Sequence, residues 1–156
     1  MAGPLAGVRI LDLTTVVMGP FATQILAELG ADVIKIEPPE GDNMRHPGPM
    51  KHAGMGHLHL HLNRGKRDLV LDLKQPEGRE ALLRLAKHAD VLVYDVRPAA
   101  MARLGLAYDD LRAVNPRIVY VGVYGYSYVP PIGGTGYTEA EIAELIRKRV
   151  THFASR

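Results

Sequence analysis

The sequence predicts an α/β fold with a Rossmann-like, mostly parallel sheet and helices on both of its faces. Short apolar segments rich in Val, Ile and Leu alternate along the chain with segments whose apolar residues recur at helical spacing. This alternation is typical of a parallel sheet, because each helix returns the chain to the start of the next strand. The 156 residues, 47% of them hydrophobic and 23% charged, suffice for one domain with its own core.

The first part of the chain supplies two strands and a helix. Residues 8–13 are predicted to form a buried strand, after which Gly19-Pro20 opens a helix. This helix carries Phe21, Ile25 and Leu29 on one face, and Gly30 ends it. Residues 31–36 form the second strand, closed by two prolines. A loop of about twenty residues follows, and connections of that length are often functional or mobile.

Three histidines alternate with leucines directly after this loop. His57, His59 and His61 would lie on one side of a strand, where neutral imidazoles could bind a borderline metal. Local Asp, Glu or Cys residues that would complete a ligand set are missing from this segment. We therefore expect an exposed polar strand face and predict no metal site.

A cationic turn leads into the third strand. Arg64, Lys66 and Arg67 surround Gly65, which lets the backbone bend so that the three charges can converge. Two interpretations are open, a site for an anion or a solvated turn. The strand predicted at 68–73 would place Leu69, Leu71 and Leu73 on one face.

The remaining elements follow the same alternation. Pro76 starts a helix with Glu77 in its first turn and an apolar stripe formed by Ala81, Leu82, Leu85 and Ala86. Residues 90–95 and 117–124 read as the fourth and fifth strands, with short helices across 101–114 between them. We divide the chain into a domain at 1–128, a Gly/Pro-rich junction at 129–136 and a C-terminal helix at 137–156.

Composition narrows the classes of function. The chain has no cysteine, which excludes disulfides and thiolate chemistry, and its net charge is only +2, so we expect no nucleic-acid partner. The N-terminus lacks a basic-then-apolar leader, and no apolar run approaches the length of a membrane span. We therefore expect a cytoplasmic protein without a membrane partner.

Several segments, taken in order, resemble family III CoA-transferases, the group that includes L-carnitine/bile-acid CoA-transferases, formyl-CoA transferase and α-methylacyl-CoA racemases. The match covers about residues 5–127, and its strength lies in the order and spacing of the motifs. The matching segments are Leu5-Ala6-Gly7-Val8-Arg9-Ile10-Leu11-Asp12-Leu13, Gly19-Pro20, residues 29–37, Asn63-Arg64-Gly65-Lys66-Arg67, residues 76–80, residues 89–93, Arg97-Pro98 and residues 115–120.

The resemblance implies a site for CoA or acyl-CoA, as substrate and not as a tightly bound cofactor, at the carboxyl edge of the sheet. The residues at the matching positions are Val17, Met18, Leu71, Asp72, Leu73, Lys74, Asp95, Val96, Arg97 and Arg103. Ligands of open α/β sheets bind at that edge, and a helix opening at Gly19 offers backbone N–H groups to an anion. Lys74, Arg97 and Arg103 can donate charge-assisted hydrogen bonds to phosphates.

The sequence departs from the family after the fifth strand. The family's Tyr-Asp or His-Asp segment, which supplies the transferases' nucleophilic aspartate, has no match here, and no aspartate follows Asp110. Residues 136–145 resemble the family's extreme C-terminus, so the chain reads as a member without its middle portion. Catalytic residues therefore stay unknown. The resemblance implies an acyl-CoA:carboxylate CoA-transferase that forms a homodimer; the alternatives are a non-catalytic CoA-binding fragment and a racemase-type enzyme.

Overall fold

A computed structural model of the chain describes residues 3–124, and these form a five-stranded, entirely parallel sheet. The strands are β1 (Arg9–Leu13), β2 (Asp32–Glu37), β3 (Arg67–Val70), β4 (Val91–Tyr94) and β5 (Val119–Gly122). Their spatial order is β3-β2-β1-β4-β5, with Leu11 of β1 opposite Ile34 on one side and Leu92 on the other. The predicted α/β class with a parallel sheet is confirmed.

Helices connect the strands on both sides of this sheet. They are α1 (Met18–Glu28), α2 (His57–Leu62), α3 (Pro76–Ala86), α4 (Pro98–Arg103) and α5 (Tyr108–Val114), with a short 3-10 helix at Asn43–Arg45. From β1 to β3 the chain moves one way across the sheet, and from β3 to β5 it moves the other way. Because parallel crossovers are right-handed, α1 and α2 lie on one face and α3 to α5 on the other.

The core lies where β1, β2 and β4 meet the helices. Ile10, Leu11, Val33 and Leu92 are at most 1% exposed, as expected for central strands that are covered on both faces. On α3, Leu82 and Ala86 of the predicted apolar stripe are fully buried, which agrees with the helical period read from the sequence.

The apolar face expected on α1 points to solvent in the described part of the chain. Phe21, Ile25 and Leu29 are 48%, 42% and 41% exposed, whereas Thr23 and Gln24 are buried. The helix turns its polar side inward because Thr23 donates to the carboxylate of Asp12 in the sheet. Apolar spacing alone therefore gave the helix correctly but not the face that packs inward.

Two predicted strands differ from the structure. The alternating histidines belong to a helix, α2, which begins after Gly56; His59 is buried while His57 and His61 are exposed, so the three imidazoles do not share a side. The third strand ends at Val70 and not at residue 73, because the carboxylate of Asp72 accepts from the backbone N–H of Lys74 and starts a turn.

The remaining boundaries shift by a few residues, since β5 and the short helices occupy parts of the predicted ranges. The junction predicted at 129–136 and the helix predicted at 137–156 lie outside the described residues. Among the helices within residues 3–124, none is long and apolar enough to span a membrane.

Candidate functional site

The order of the strands creates a crevice at the carboxyl ends of β1 and β4. The two strands are neighbours, yet the connections that leave them run in opposite directions across the sheet. In open α/β sheets such a switch point is where ligands bind. Here the backbone N–H of Thr15, after β1, donates to Asp95 Oδ2, after β4, over 2.6 Å.

The main cavity at this edge has a volume of about 430 Å³ and lies between the ends of β1 and β2, the segment after β3, and α4. Its wall is mostly apolar, with Leu13, Ile36 and Met101 among its members. Six of the residues predicted to contact CoA line it together: Leu71, Asp72, Leu73, Lys74, Val96 and Arg103.

Two further pockets lie at the same edge. One of about 320 Å³ is lined by residues 15–19 together with Asp95 and Val123, and it contains three more predicted residues, Val17, Met18 and Asp95. The other, of about 400 Å³, shares Lys74 and Arg103 with the main cavity and adds Arg79 of α3. The tenth predicted residue, Arg97, is exposed at the start of α4 and lines none of the three.

The cations that line these pockets differ from those of the cationic turn, each of which pairs with a carboxylate. Lys74, Arg79 and Arg103 make no ion pair with a carboxylate within the described residues. All three are exposed, so their charges are available to a ligand. Phosphate oxygens are the acceptors that such groups bind best.

The cationic turn after α2 is not built as an anion site. Arg64 pairs with Glu28, Lys66 with Asp12 at 2.9 Å and Arg67 with Asp32 at 2.7 Å. Each of the three side chains pairs with a different carboxylate. They therefore neither converge on one anion site nor form a turn whose charges are only solvated. Lys66 turns inward, and its side chain is fully buried.

Lys66 and Asp12 form the centre of a buried polar cluster beneath the crevice. The amine of Lys66 also donates to the carbonyl of Pro20 and to Asn63 Oδ1, each at 2.9 Å. Asp12 accepts from the hydroxyls of Thr14 and Thr23, both at 2.5 Å. Every polar group of the cluster has a partner, which buried charges require.

Burial and charge act in opposite directions on this cluster. Burial would raise the pKa of Asp12, but Lys66, Lys35 and the two threonine hydroxyls together hold that pKa below its usual value. For Lys66, burial prevails and lowers the pKa despite the carboxylate of Asp12. The pKa of Asp95 is raised, mainly by burial, even though Thr15 donates to its carboxylate.

The turn between β1 and α1 has an unusual backbone. Val16 has φ 67°, the left-handed region that disfavours a β-branched side chain, and it is the sole non-glycine residue between 3 and 124 with positive φ. The amides of Thr14 and Thr15 donate to Asp12 and Asp95. Gly19 allows close packing here, because a Cβ at this position would lie 2.4 Å from the Cβ of Thr14.

The start of α1 is where the sequence predicted backbone N–H groups available to an anion. The helix begins at Met18, and the backbone N–H groups of Val17, Met18 and Gly19 have no acceptor within the described residues. The three residues belong to the wall of the smaller pocket. Free N–H groups at a helix start favour a negatively polarised ligand group.

A second polar cluster surrounds His59. Ligand atoms of Glu37, His59 and Asp68 lie within 4.8 Å of one another, a spacing that suits a metal ion. However, Arg45 already spans both carboxylates, with contacts of 2.7 Å to Glu37 and 3.0 Å to Asp68. The pKa of His59 is lowered by burial and by Arg45. The guanidinium thus supplies the positive charge that a metal would bring.

Sequence reasoning missed the buried charges of the central strands. Asp12 and Lys35 lie opposite each other in the register of β1 and β2, and both are 0% exposed. The available signal was a single charged residue within each apolar run, which is rare in a central strand unless the charge is paired. The run Ile10-Leu11-Asp12-Leu13 and the run Val33-Ile34-Lys35-Ile36 both carried it.

This chain belongs to CoA-transferase family III, whose family model matches residues 5–133. Succinate–glutarate CoA-transferase of Agrobacterium fabrum is 40% identical over 136 residues, which is 82% of this chain and 34% of that protein. Human succinyl-CoA:glutarate CoA-transferase is 41% identical over 130 residues, 83% of this chain and 30% of the human protein. Acetyl-CoA:oxalate CoA-transferase of Acetobacter aceti is 43% identical over 132 residues, which is 83% of this chain and 33% of that protein.

Solved structures give the same result. A crystal structure of a CAIB/BAIF family protein from Brucella suis matches with a TM-score of 0.79 and 34% identity, covering 93% of this chain and 39% of that one. A crystal structure of a protein from Mycobacterium tuberculosis matches with a TM-score of 0.76 and 38% identity, covering 92% of this chain and 40% of that one. The chain spans about a third of the length of the curated relatives it matches.

Proposed function

We propose that this chain is the CoA-binding portion of an acyl-CoA:carboxylate CoA-transferase and binds the CoA moiety at the carboxyl edge of its sheet. The observation that carries the proposal is the main cavity at the switch point, which brings together six residues chosen from the sequence alone. Lys74 and Arg103 at its rim are free of carboxylate partners within the described residues and suit the phosphates of CoA.

The substrate class of the proposal follows from the relatives. Their names state transfer between CoA thioesters and small carboxylic acids such as succinate, glutarate and oxalate. We propose CoA or acyl-CoA as the substrate bound here, entering and leaving in each turnover and not held as a tight cofactor. The proposal names no acceptor acid, because the described pockets have both apolar and cationic lining residues and none of these selects one acid.

A non-catalytic CoA-binding unit is the second candidate function. Covalent acyl transfer needs a positioned carboxylate next to the thioester carbonyl. The carboxylate of Asp95 lines the smaller pocket, but Thr15 holds it with its N–H and hydroxyl, at 2.6 and 3.1 Å. We expect CoA exchange between an acyl-CoA and a free acid to stay at background for this chain. Turnover that Asp95→Asn abolishes would favour the enzyme instead.

The proposal includes a homodimer and a cytoplasmic location. Support for the dimer is the exposed apolar face of α1, on which Phe21, Ile25 and Leu29 are each more than 40% exposed. Light scattering should give a mass near twice the 17.1 kDa chain. A monodisperse monomer would contradict the dimer and leave the CoA site unaffected.

Calorimetric titration with CoA and with adenosine tests the proposed binding. We expect CoA to bind with a dissociation constant in the micromolar to millimolar range, about −4 to −8 kcal/mol, and adenosine to bind at least about tenfold more weakly. Silence with both ligands, or equal affinity for both, would overturn the proposal, since a site for phosphates must distinguish them.

A further inference from the structure

We propose that the buried Lys35–Asp42 pair is a positioning device that holds the turn between β1 and α1 in its strained form and thereby sets the affinity for CoA without touching it. The inference rests on the proposed CoA site, because the turn forms one wall of the pockets there. Neither Lys35 nor Asp42 lines any of the three pockets. Lys35 acts on the turn through the carbonyl of Thr14, and Asp42 acts by holding the amine of Lys35.

The geometry of the pair connects two separate parts of the chain. Lys35 Nζ lies 2.8 Å from Asp42 Oδ2 and donates to the carbonyl of Thr14 over 2.8 Å. The two side chains are 0% and 1% exposed, so water does not compete for these contacts. Asp42 is itself held in place, since its N–H donates to Glu37 and its Oδ1 accepts from the N–H of Met44, both over 2.9 Å.

The turn needs such support because of Val16. An L-residue in the left-handed region is disfavoured by a factor of about five to thirty relative to its ordinary conformations. Lys35 holds the carbonyl of Thr14, two residues before Val16, while Asp12 and Asp95 hold the amides of Thr14 and Thr15. A strained residue that several buried charges hold is the usual mark of a preorganised site.

The consequence of this support lies at the next three residues. With Val16 in this form, Val17, Met18 and Gly19 line the smaller pocket, and their amides have no acceptor within the described residues. If Val16 relaxed to negative φ, the path of the turn would change and these three residues would no longer share one wall. The pair therefore controls a binding surface that it does not form.

The test uses variants that keep the fold. Lys35→Met with Asp42→Asn replaces the ion pair by neutral groups of similar size, which avoids a lone buried charge. We expect this double variant to bind CoA about fivefold to thirtyfold more weakly, which is the factor by which the left-handed form is disfavoured. The variant should still unfold cooperatively in urea. Asp32→Asn is the matched control, because its carboxylate pairs with Arg9 and Arg67 at the amino end of β2. It should leave CoA affinity unchanged.

Repeating the double change in a Val16→Gly variant distinguishes positioning of the turn from a general loss of rigidity. Glycine adopts positive φ without strain, so in Val16→Gly the same double change should weaken CoA binding less than about twofold. Equal losses with and without the Val16→Gly change, or unchanged affinity in the double variant, would overturn the inference. Amide hydrogen exchange of the ligand-free protein tests the positioning role independently of CoA binding. The amides of residues 14–16 should exchange faster in the double variant than in the unmodified chain, and Asp32→Asn should not change their exchange. If the unmodified chain fails to bind CoA, the proposed function falls, and unchanged exchange would then also overturn the positioning role.

Discussion

The backbone N–H of Thr15 and the carboxylate of Asp95 meet at 2.6 Å and join the ends of the two central strands where the chain reverses its direction across the sheet. Both residues lie at the predicted ligand edge, and Asp95 was predicted to contact CoA. In the structure its carboxylate holds the turn that precedes α1, and its contact with CoA stays a prediction. The pockets on either side of this contact are therefore built on fixed backbone.

Removing the buried amine of Lys66 should destabilise the fold strongly. Lys66→Met leaves the carboxylate of Asp12, which is 0% exposed, without its cation, and we expect a loss of about 3–5 kcal/mol in the free energy of unfolding. Urea denaturation measures it. Arg64→Met from the same turn is the control and should change little, because its pair with Glu28 is solvent-exposed.

The same pair can be tested by a double-mutant cycle. If Asp12→Asn is combined with Lys66→Met, the loss should be clearly smaller than the sum of the two single losses, because no uncompensated charge is left. Strictly additive losses would show that the two groups do not interact in the folded chain.

Acid should weaken the fold through its buried carboxylates. Asp12, Glu37 and Asp42 have a pKa below the ordinary value, so the folded chain binds protons less readily than the unfolded chain. Their stabilising effect is complete above their unfolded pKa values of about 4, and it is lost as the pH falls through the lower folded values. Asp95, with a raised pKa, offsets part of this loss.

The measurement is the denaturant midpoint as a function of pH. It should be nearly constant from about pH 7 to pH 5 and then fall steadily below about pH 4.5. Asp12→Asn should flatten the acidic limb. A midpoint that stays constant down to about pH 3 would contradict the stabilising role of these carboxylates.

Gly78→Ala should disturb the segment that lines the main cavity. A Cβ at this position would lie 2.1 Å from the carbonyl oxygen of Asp72, so that the backbone of residues 71–74 must shift. We expect a loss of about 1–3 kcal/mol in the free energy of unfolding together with weaker CoA binding. Gly54→Ala is the control: its Cβ meets nothing within 4 Å, and only its φ of 75° opposes the change. Unaltered CoA affinity in Gly78→Ala would argue against a role of residues 71–74 in binding.

The unpaired cations at the rim should account for the preference for phosphates. Lys74→Ala and Arg103→Ala should each weaken CoA binding about threefold to tenfold, the effect of one charge-assisted contact that solvent partly screens. Arg84→Ala is a matched control, since Arg84 is exposed on α3 and lines none of the pockets. Titrations at low and high salt should show a smaller salt effect in the two rim variants than in the control.

The alternation of patterns predicted the sheet, its parallel direction and the burial of Leu82 and Ala86, because backbone periodicity decides those features. It predicted the wrong structure for residues 57–62, since a short run of His and Leu fits a strand or a helix equally well and Gly56 decides the start. The side of α1 that packs inward was not predicted for a different reason. Thr23 is buried because its hydroxyl donates to the carboxylate of Asp12, a contact that hydrophobic spacing does not indicate.

The candidate site was predictable only in part. The resemblance selected nine residues that the fold gathers around pockets at one edge, and one, Arg97, that it does not. The partners of Lys66, Arg64 and Arg67 were not predictable, because they depend on which carboxylates the parallel register brings near. The strain at Val16 likewise arises from contacts between distant segments.

An amide NMR titration of the isotope-labelled chain with CoA tests the central claim most directly, because it locates the ligand residue by residue. We expect saturable shifts at Val17, Met18, Leu71 to Lys74, Val96 and Arg103, with little change at Arg64 and Arg67 on the cationic turn. Shifts confined to the cationic turn and α2, or no saturable shifts at millimolar CoA, would contradict a CoA site at the carboxyl edge of this sheet.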